Sequence, residues 1–442
     1  MSSRRYQGLQ LPAHKHLTRD AAIISAPVPQ TLVLPLDQHS DTQLAPCVQL
    51  GERVLLGQII ARPASPFSAC LNAPVSGTVL AIEPRASPIQ TTDTLAIVLA
   101  NDGHDTRDPS LQPLQQWRTL PPLELCAFLS RGGIAGLGGA AFPTATKLAA
   151  HAQLPIEYLL INGVECEPFI TCDDRLMRER AGLIAQGAQI MLYAAQASQC
   201  KIAIEADKPE ALAAMQAAVQ ELGDARIEVI TVPTAYPNGD EGQLITQVLN
   251  REIPREGLPA HIGVIVQNVA TACASAQWAL QGQPLISRVV TITGPGLLQP
   301  ANLDVRLGTR IGDLIALCGG YRTDLPPDTL IMGGAMMGRS LSSDDFPIVK
   351  ACNCVIVTRH HLLKPAAPEM PCIRCGECAE ACPVHLLPQQ LLAHARSHNE
   401  TALLELGLHD CIECGCCDYV CPSHITLVGR FRTAKAQGRG SG

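Results

Sequence analysis

The sequence predicts a multidomain α/β protein of 442 residues, and three observations predict it. Short apolar runs separated by Gly and Pro fill residues 26–112. Apolar strands alternate with helical stretches from 113 to 282. Two cysteine motifs of identical spacing follow within 369–430. A chain of this length holds about three or four domains of ~100–200 residues each, so we treat these regions as separate units.

The composition narrows the class of protein. Hydrophobic residues make up 47% of the chain and charged residues 17%, which is typical of a globular protein. A net charge of -7 gives no overall attraction to nucleic acid or anionic lipid. Two weakly charged stretches, 181–207 and 257–287, contain several glutamines, so each predicts a buried strand with a helix and not a membrane span. Met1–His16 lacks the apolar core of a secretory signal, and we expect a cytoplasmic chain.

The first unit, 26–112, follows an expected N-terminal tail at 1–25. Its apolar runs predict the short strands of an all-β fold: Thr31–Leu36, Val54–Ile60 and Val75–Ile82. The segment Asn72–Val79 resembles the hairpin of biotinyl- and lipoyl-type barrel-sandwich domains. No lysine stands at the tip of that hairpin, so we expect no swinging cofactor.

The second unit, 113–282, predicts an α/β layer fold. The expected strands are Tyr158–Ile161, Lys201–Ile204, Ile227–Val232 and Ile262–Val266. The expected helices are Leu123–Ser130, Thr144–Ala152, Arg178–Ala197, Glu210–Leu222 and Gly242–Asn250.

The third unit, 283–350, combines an expected strand at Ser287–Thr293 with a Gly-Pro-Gly turn and a short helix near Ile315. It resembles the ubiquitin-like soluble-ligand-binding β-grasp (SLBB) module. We expect a linker at 351–368 and a C-terminal tail at 431–442.

Nineteen cysteines in a chain expected to be cytoplasmic indicate metal binding more than disulfides. Eight of them repeat the pattern Cys-x2-Cys-x2-Cys-x3-Cys-Pro. In this pattern three cysteines hold one 4Fe-4S cluster and the fourth ligates the other cluster. We therefore predict a bacterial-type ferredoxin domain at 369–430, with one cluster on Cys372, Cys375, Cys378 and Cys421 and the other on Cys411, Cys414, Cys417 and Cys382.

Three further cysteines raise the same question. Structural zinc sites usually pair two CxxC motifs across a longer spacer, which favours clusters for the eight cysteines. Cys416 stands out of register beside Cys417, and we do not expect it to be a ligand. Cys352 and Cys354 are interpreted as packing residues.

A glycine-rich loop, Arg131–Lys147, joins two expected helices. Its five glycines within eight residues allow the backbone to approach a flat or phosphorylated ligand closely. Pro143 suits the first position of the following helix, whose free N–H groups favour an anion. Lys147 lies one turn further on and can reach back. A purely structural glycine turn is the alternative.

Polar segments also follow three expected strands, where α/β folds gather their ligand sites. These segments are Asn162–Pro168, Tyr236–Glu241 and Gln267–Thr271. Taken singly, each is explained by a helix cap, a turn or a solvated acid pair. Together with the glycine loop they predict one pocket.

The order of these four motifs resembles the NADH- and FMN-binding flavoprotein subunit of respiratory complex I. Over roughly residues 6–430 the chain is similar to the RnfC family, a subunit of the Rnf ion-translocating electron-transport complex. The resemblance implies a Rossmann-like flavoprotein core in which Glu167 and Glu241 lie nearest to the nicotinamide and flavin. It implies FMN contacts from Gly136, Gly138, Gly139, Lys147, Asn162, Tyr236, Gly239, Asp240, Glu241, Asn268 and Thr271.

Three positions depart from the complex I pattern. Leu137 replaces an arginine, Ala141 a glycine and Val164 an aspartate that contacts flavin, while Asp240 stands for the first of two acids. Rnf-type chains commonly differ at these positions, so the resemblance still implies a flavin.

The resemblance implies non-covalent FMN, NAD(H) and two 4Fe-4S clusters in a peripheral translocase subunit. Its expected place is the cytoplasmic face of the bacterial inner membrane, attached through the other Rnf-complex subunits (A, B, D, E and G) and linked indirectly to ferredoxin or flavodoxin. The direction of electron flow and the coupling ion stay open. The alternatives are a soluble flavin/iron-sulfur cobalamin reductase and an electron-carrier module without a working NADH site.

Overall fold

The computed structural model describes residues 8–39, 44–90, 92–359 and 367–438. Part of the expected tail at 1–25 is packed against later parts of the chain. Leu9 forms a β-bridge with Tyr236, and strand β1 (Ile23–Ser25) pairs in parallel with a strand near residue 302. The tail expectation is therefore wrong for residues 8–25, because they complete a sheet and cover a buried tyrosine.

Two small antiparallel sheets form the first unit. One has the order β2-β8-β7-β4 and the other β3-β5-β6. The strands are β2 (Thr31–Pro35), β3 (Ala45–Pro46), β4 (Arg53–Val54), β5 (Ile59–Arg62), β6 (Leu71–Asn72), β7 (Gly77–Arg85) and β8 (Thr94–Asn101). Buried Leu, Ile and Val side chains from both sheets share one core, as expected for a barrel-sandwich.

A four-stranded parallel sheet in the order β11-β10-β9-β12 forms the α/β core. Its strands are β9 (Tyr158–Gly163), β10 (Gln199–Glu205), β11 (Ile227–Val232) and β12 (Val264–Asn268). Around it lie α1 (Pro122–Arg131), α2 (Thr144–Leu148), α3 (Cys172–Glu179), α4 (Ala181–Ala194), α5 (Pro209–Leu222), α6 (Glu241–Leu249) and α7 (Val269–Gln281).

The helix expected at 178–197 is instead two helices, α3 and α4, which meet at Arg180. Arg180 has φ -130° and ψ 30°, outside the helical region. Its guanidinium pairs with Asp304 of the next unit at 2.6 Å. The break lets α3 pack against that unit while α4 continues along α7.

The third unit is a six-stranded sheet in the order β1-β14-β13-β17-β15-β16. Its bounds are β13 (Ser287–Thr293), β14 (Ala301–Arg306), β15 (Thr329–Met332), β16 (Arg339–Leu341) and β17 (Cys354–Thr358), with α8 at Ile311–Leu317.

The linker expectation for 351–368 is wrong for β17, which lies between β13 and β15 with all five residues buried. Ile356 packs into the α/β core, whereas Val355 and Val357 pack into the barrel core on the other face. The remainder of that segment includes 360–366, outside the described residues.

Short helices make up the cysteine-rich unit: α9 (Glu377–Glu380), α10 (Pro388–Arg396), α11 (Glu400–Glu405), α12 (Cys416–Tyr419) and α13 (Leu427–Gly438). The tail expected at 431–442 is wrong for 431–438, because α13 continues there and buries Phe431. No helix among the described residues is long and apolar enough to cross a membrane.

Candidate functional site

A cavity of about 580 Å³ lies where the carboxyl ends of β9, β11 and β12 meet the glycine loop 131–147. Parallel strands bring their carboxyl ends to one edge of the sheet, which explains why distant motifs converge. Glu167 lines the cavity, as do ten of the eleven residues expected to contact FMN: Gly136, Gly138, Gly139, Lys147, Asn162, Tyr236, Gly239, Asp240, Glu241 and Asn268.

Thr271 is the expected FMN contact that does not line this cavity. It is fully buried on α7 behind the glycine loop, and its hydroxyl accepts a hydrogen bond from the Leu137 N–H at 2.9 Å. Thr271 therefore supports the loop from behind.

The backbone of the glycine loop folds back on itself. The Gly136 N–H donates to the Phe142 carbonyl at 2.8 Å, and Gly139 has φ 119°, which favours glycine. Ala141 has φ 49° at a position where the complex I pattern has glycine. An alanine in this left-handed region costs about 1 kcal/mol, so that departure strains the loop slightly.

A lysine and a carboxylate face each other across the cavity floor. Lys147 of α2 donates from Nζ to the Glu241 carboxylate at 2.7 Å and to the Val266 carbonyl at 3.3 Å. Asp240 has a different role: its Oδ1 accepts from the Gly242 and Gln243 N–H groups and caps α6. Burial raises the pKa of Asp240.

Two asparagines connect the strand ends. Asn162 donates to the Gly239 carbonyl at 2.9 Å and so joins the end of β9 to the turn that follows β11. Asn268 caps α7 through the Ala270 N–H and donates to the Asp173 carboxylate at 2.6 Å. Both side chains hold neighbouring elements in place while they line the cavity.

Two buried acids in the cavity wall were missed by the sequence reasoning. Glu165 accepts from the Asp173 N–H at 2.7 Å and lies 3.6 Å from the Lys15 ammonium. Burial raises the pKa of Glu165 to about 8 and also raises the pKa of Asp173. Only the sequence segment that contains Glu165 was noticed, because burial depends on the packing of α3 and the N-terminal residues.

A loop of the third unit, 333–338, closes one side of the cavity and was also missed. Glu167 accepts hydrogen bonds from the Met336 and Met337 N–H groups at 3.0 and 2.9 Å. A Cβ at Gly334 would collide with the Glu167 carboxylate, so glycine is required there. Burial raises the pKa of Glu167 to about 7. Three glycines in this six-residue loop were the available sequence signal.

The eight motif cysteines form two groups, each around a small cavity. We call Cys372, Cys375, Cys378 and Cys421 the outer group and Cys382, Cys411, Cys414 and Cys417 the inner group. The fourth cysteine of each motif thus lies with the first three of the other motif, in the arrangement expected from the spacing. Cys416 is buried and borders the inner cavity, while Cys352 and Cys354 are buried in the cores of the preceding units.

Tyr236 separates the large cavity from the inner group. It lines the cavity, is 2% exposed, and its hydroxyl donates to the Cys414 carbonyl at 2.6 Å. Met336 packs in the same apolar cluster as Tyr236, Cys414 and Cys416. One side chain therefore spans the distance from the cavity to the cysteine loop.

Four family models match consecutive parts of the chain. The RnfC barrel sandwich hybrid domain matches residues 4–104, the Nuo51 FMN-binding domain 129–277, the SLBB domain 289–340 and the 4Fe-4S dicluster domain 371–425. The predicted fold class and its four modules are confirmed by these matches.

Curated relatives named as the RnfC component of the ion-translocating oxidoreductase complex are similar over most of the chain. The Rhodobacter capsulatus protein is 42% identical over 97% of this chain and 82% of its own length. The Pseudomonas aeruginosa protein is 45% identical over 97% of this chain, and the Vibrio cholerae protein is 45% identical over 90%. The chain spans only 55% and 51% of the length of these two relatives.

A solved structure has a related fold. The crystal structure of a NAD+-reducing NiFe-hydrogenase in the H2-reduced state superposes with a TM-score of 0.51 and 18% identity. The match covers 74% of this chain and 63% of that chain.

Proposed function

Because the chain belongs to the RnfC family of ion-translocating oxidoreductase complexes, we propose that it is a peripheral electron-transfer subunit that passes electrons between NAD(H), FMN and two 4Fe-4S clusters. The observation that carries this proposal is the Tyr236 hydroxyl on the Cys414 carbonyl. It joins the wall of the cavity to the inner cysteine group, so the two sites are adjacent parts of one path.

The cavity residues fit FMN. A volume of about 580 Å³ is in the range of small-molecule sites. Three residues of its wall carry buried polar atoms without a hydrogen-bond partner among the described residues: Glu165 Oε2, Gln267 Nε2 and Asn353 Oδ1. Unpaired donors and acceptors of this kind are costly when buried and are satisfied by a polar ligand.

FMN, when bound, supplies an acceptor for two electrons that releases them one at a time. The chain holds and orients it with the ten cavity residues named above, while Thr271 supports the loop. Lys147 contributes positive charge and Glu241 fixes its position. The loop 333–338, tied down by Glu167, covers the cavity and excludes water beside the path to Cys414.

The two cysteine groups fit clusters because four thiol groups surround each small cavity. The inner group adjoins the cavity wall through Tyr236, so we place it first on the path. The outer group contains the exposed Cys372 and Cys375, so we place it at the surface where electrons enter or leave.

The partners proposed for the whole complex are the other Rnf-complex subunits (A, B, D, E and G), with ferredoxin or flavodoxin as the indirect partner. The proposed location is the cytoplasmic face of the bacterial inner membrane. These partners and this location rest on the family and not on a described contact.

The test uses the purified full chain, reconstituted anaerobically with iron, sulfide and FMN. We expect about one flavin and two clusters per chain, and bleaching of both chromophores on addition of NADH. Lys147→Met should weaken flavin binding, whereas Lys201→Met, a matched change at a surface ion pair, should not. Absence of both bound flavin and NADH oxidation would refute the proposal.

The same preparation separates the two alternatives. Clusters that are reduced by dithionite but never by NADH would identify a carrier module without an NADH site. Rapid NADH-dependent reduction of cob(II)alamin would identify a cobalamin reductase.

A further inference from the structure

Two buried cations lie behind the glycine loop, and the proposed chemistry does not use them. Arg288 of β13 is 4% exposed and Lys350, which precedes β17, is fully buried. Both come from the third unit and reach across to the loop of the α/β core. Within the described part of the chain, neither side chain forms an ion pair with a carboxylate; both donate only to main-chain carbonyls.

Arg288 acts on the peptide that faces the cavity. Its guanidinium donates to the Leu137 carbonyl at 2.9 Å and also to the Lys350 carbonyl. The Leu137 carbonyl and the Gly138 N–H belong to one trans peptide and point in opposite directions. Gly138 lines the cavity, and its N–H has no acceptor among the residues that the structure describes. The guanidinium therefore aligns this peptide with its N–H directed away from Arg288.

Lys350 supports the start of the loop. Its ammonium donates to the carbonyls of Gly133 and Cys70 at 2.9 and 2.7 Å, so it joins the glycine loop to the barrel-sandwich unit. Gly133 has φ 71°, and a Cβ there would meet Cys70 and the Lys350 ammonium. Burial lowers the pKa of Lys350 to about 7 and also lowers that of Arg288.

A buried cation without a paired carboxylate is expensive, and carbonyl dipoles offset only part of its desolvation. Asp173, whose own pKa is raised by burial, is the acid that attracts Arg288 electrostatically. The base of the cavity is thus left with positive potential. An anion in the cavity would benefit from that potential without contacting either side chain.

We propose that Arg288 and Lys350 are positioning residues of the flavin site. Together they hold the glycine loop in its binding conformation and make the cavity favour an anionic occupant, the phosphate ester of FMN, over neutral riboflavin. This inference rests on the proposed function, because it assumes that the cavity binds a flavin.

The test titrates the flavin-free full chain with FMN and with riboflavin and follows the quenching of flavin fluorescence. Arg288→Met and Lys350→Met should each raise the Kd for FMN about tenfold or more, the loss of a charged hydrogen-bonding group. The Kd for riboflavin should rise less than about threefold, since the neutral ligand gains little from the cations.

Two further variants guard the interpretation. Arg288→Lys keeps the charge, so it should retain the preference for FMN over riboflavin even if both bind somewhat less tightly. Arg306→Met removes an arginine of the same unit that donates to the Pro74 carbonyl and pairs with Asp105, away from the glycine loop. It should leave both Kd values unchanged. Cluster absorbance of each variant reports whether the chain is folded.

Equal weakening of FMN and riboflavin by the Met variants would reduce Arg288 and Lys350 to structural supports and overturn the inference. Loss of FMN preference in Arg288→Lys would do the same, and that comparison stands even where a Met variant fails to fold. Flavin binding by the wild-type chain with no selective loss in the variants would contradict this inference alone. No flavin binding by the wild-type chain would refute the proposed function as well.

Discussion

The outer and inner cysteine groups are built from the same local chain in opposite surroundings. Both motifs place a residue with φ 58° (Arg374 and Glu413) and a left-handed glycine (Gly376 and Gly415) at equivalent positions. Cys372 and Cys375 of the outer group are nevertheless exposed. In the inner group Cys382, Cys414 and Cys417 are buried, and Cys414 accepts a hydrogen bond from Tyr236. The spacing sets which cysteines gather, whereas the packing around them sets what each group can contact.

The largest effect should come from the exchanged cysteines. Cys382→Ala should remove the inner cluster and Cys421→Ala the outer one, each with loss of about four of eight irons. Without the inner cluster, NADH should no longer reduce the outer cluster. Iron analysis and low-temperature EPR of the NADH-reduced protein measure both outcomes.

Cys416→Ala is the matched control for these variants, because Cys416 borders the inner cavity but stands out of register. It should keep about eight irons. If Cys382→Ala removed the cluster of its own motif instead, the assignment of ligands across the two motifs would be wrong.

The difference in exposure should appear as a difference in lability. Oxidation of cysteine sites follows solvent access, so ferricyanide should destroy the outer cluster about tenfold faster than the inner one. The loss of each EPR signal with time gives the two rates. Equal rates would show that the exposure of Cys372 and Cys375 has no consequence for the bound cluster.

Tyr236→Phe tests the contact that distinguishes the inner group. The lost hydrogen bond is worth about 1 kcal/mol, or roughly 40 mV for a one-electron couple. Because the hydroxyl offsets negative charge at the Cys414 carbonyl, its loss should lower the potential of the inner cluster. EPR-monitored redox titration should show the outer cluster unchanged.

Tyr321→Phe serves as a control for that titration, since Tyr321 donates to Asp344 on the surface of the third unit. It should shift neither potential. Equal shifts of both clusters in Tyr236→Phe would contradict the placement of the inner group beside Tyr236.

The smallest effect should be a dependence on pH that the inner cluster shows more strongly than the outer one. Burial raises the pKa of Glu167 to about 7, so its carboxyl group loses a proton as the pH rises through that value. The new negative charge disfavours reduction nearby. The potential of the inner cluster should fall by roughly 20 mV as the pH rises, a size typical of one charge acting through partly solvated protein. Glu167→Gln should remove this part of the slope; an unchanged slope would exclude Glu167 as its source.

Local sequence patterns predicted most of the α/β core, because the alternation of apolar strands with helices is visible within short stretches of chain. The same reasoning assigned β1 to a tail and β17 to a linker. Each of these strands pairs with partners far along the chain: Ile23 lies opposite Asn302, and Ile331 opposite Ile356. A strand that is defined by its neighbours in a sheet carries little signal of its own when it is short.

The cavity shows the same division. Its glycine loop and three strand-end segments were expected to converge, and the structure brings ten of the eleven expected FMN contacts together. The loop 333–338 was not expected, because its contact with Glu167 joins residues that are far apart in the chain. Thr271 has the right neighbours, but it supports the Leu137 N–H from behind the loop.

The sequence by itself determined the chemistry that this protein can support. Eight cysteines at cluster spacing, a glycine loop before Lys147 and polar residues after three strands are all properties of short stretches of chain. Only the tertiary structure decided how these parts are connected: the inner group lies next to the cavity, Glu167 closes it, and Arg288 and Lys350 stand behind its loop. Burial, electric field and distance depend on residues that are far apart in the chain, so they arise only when the units pack together.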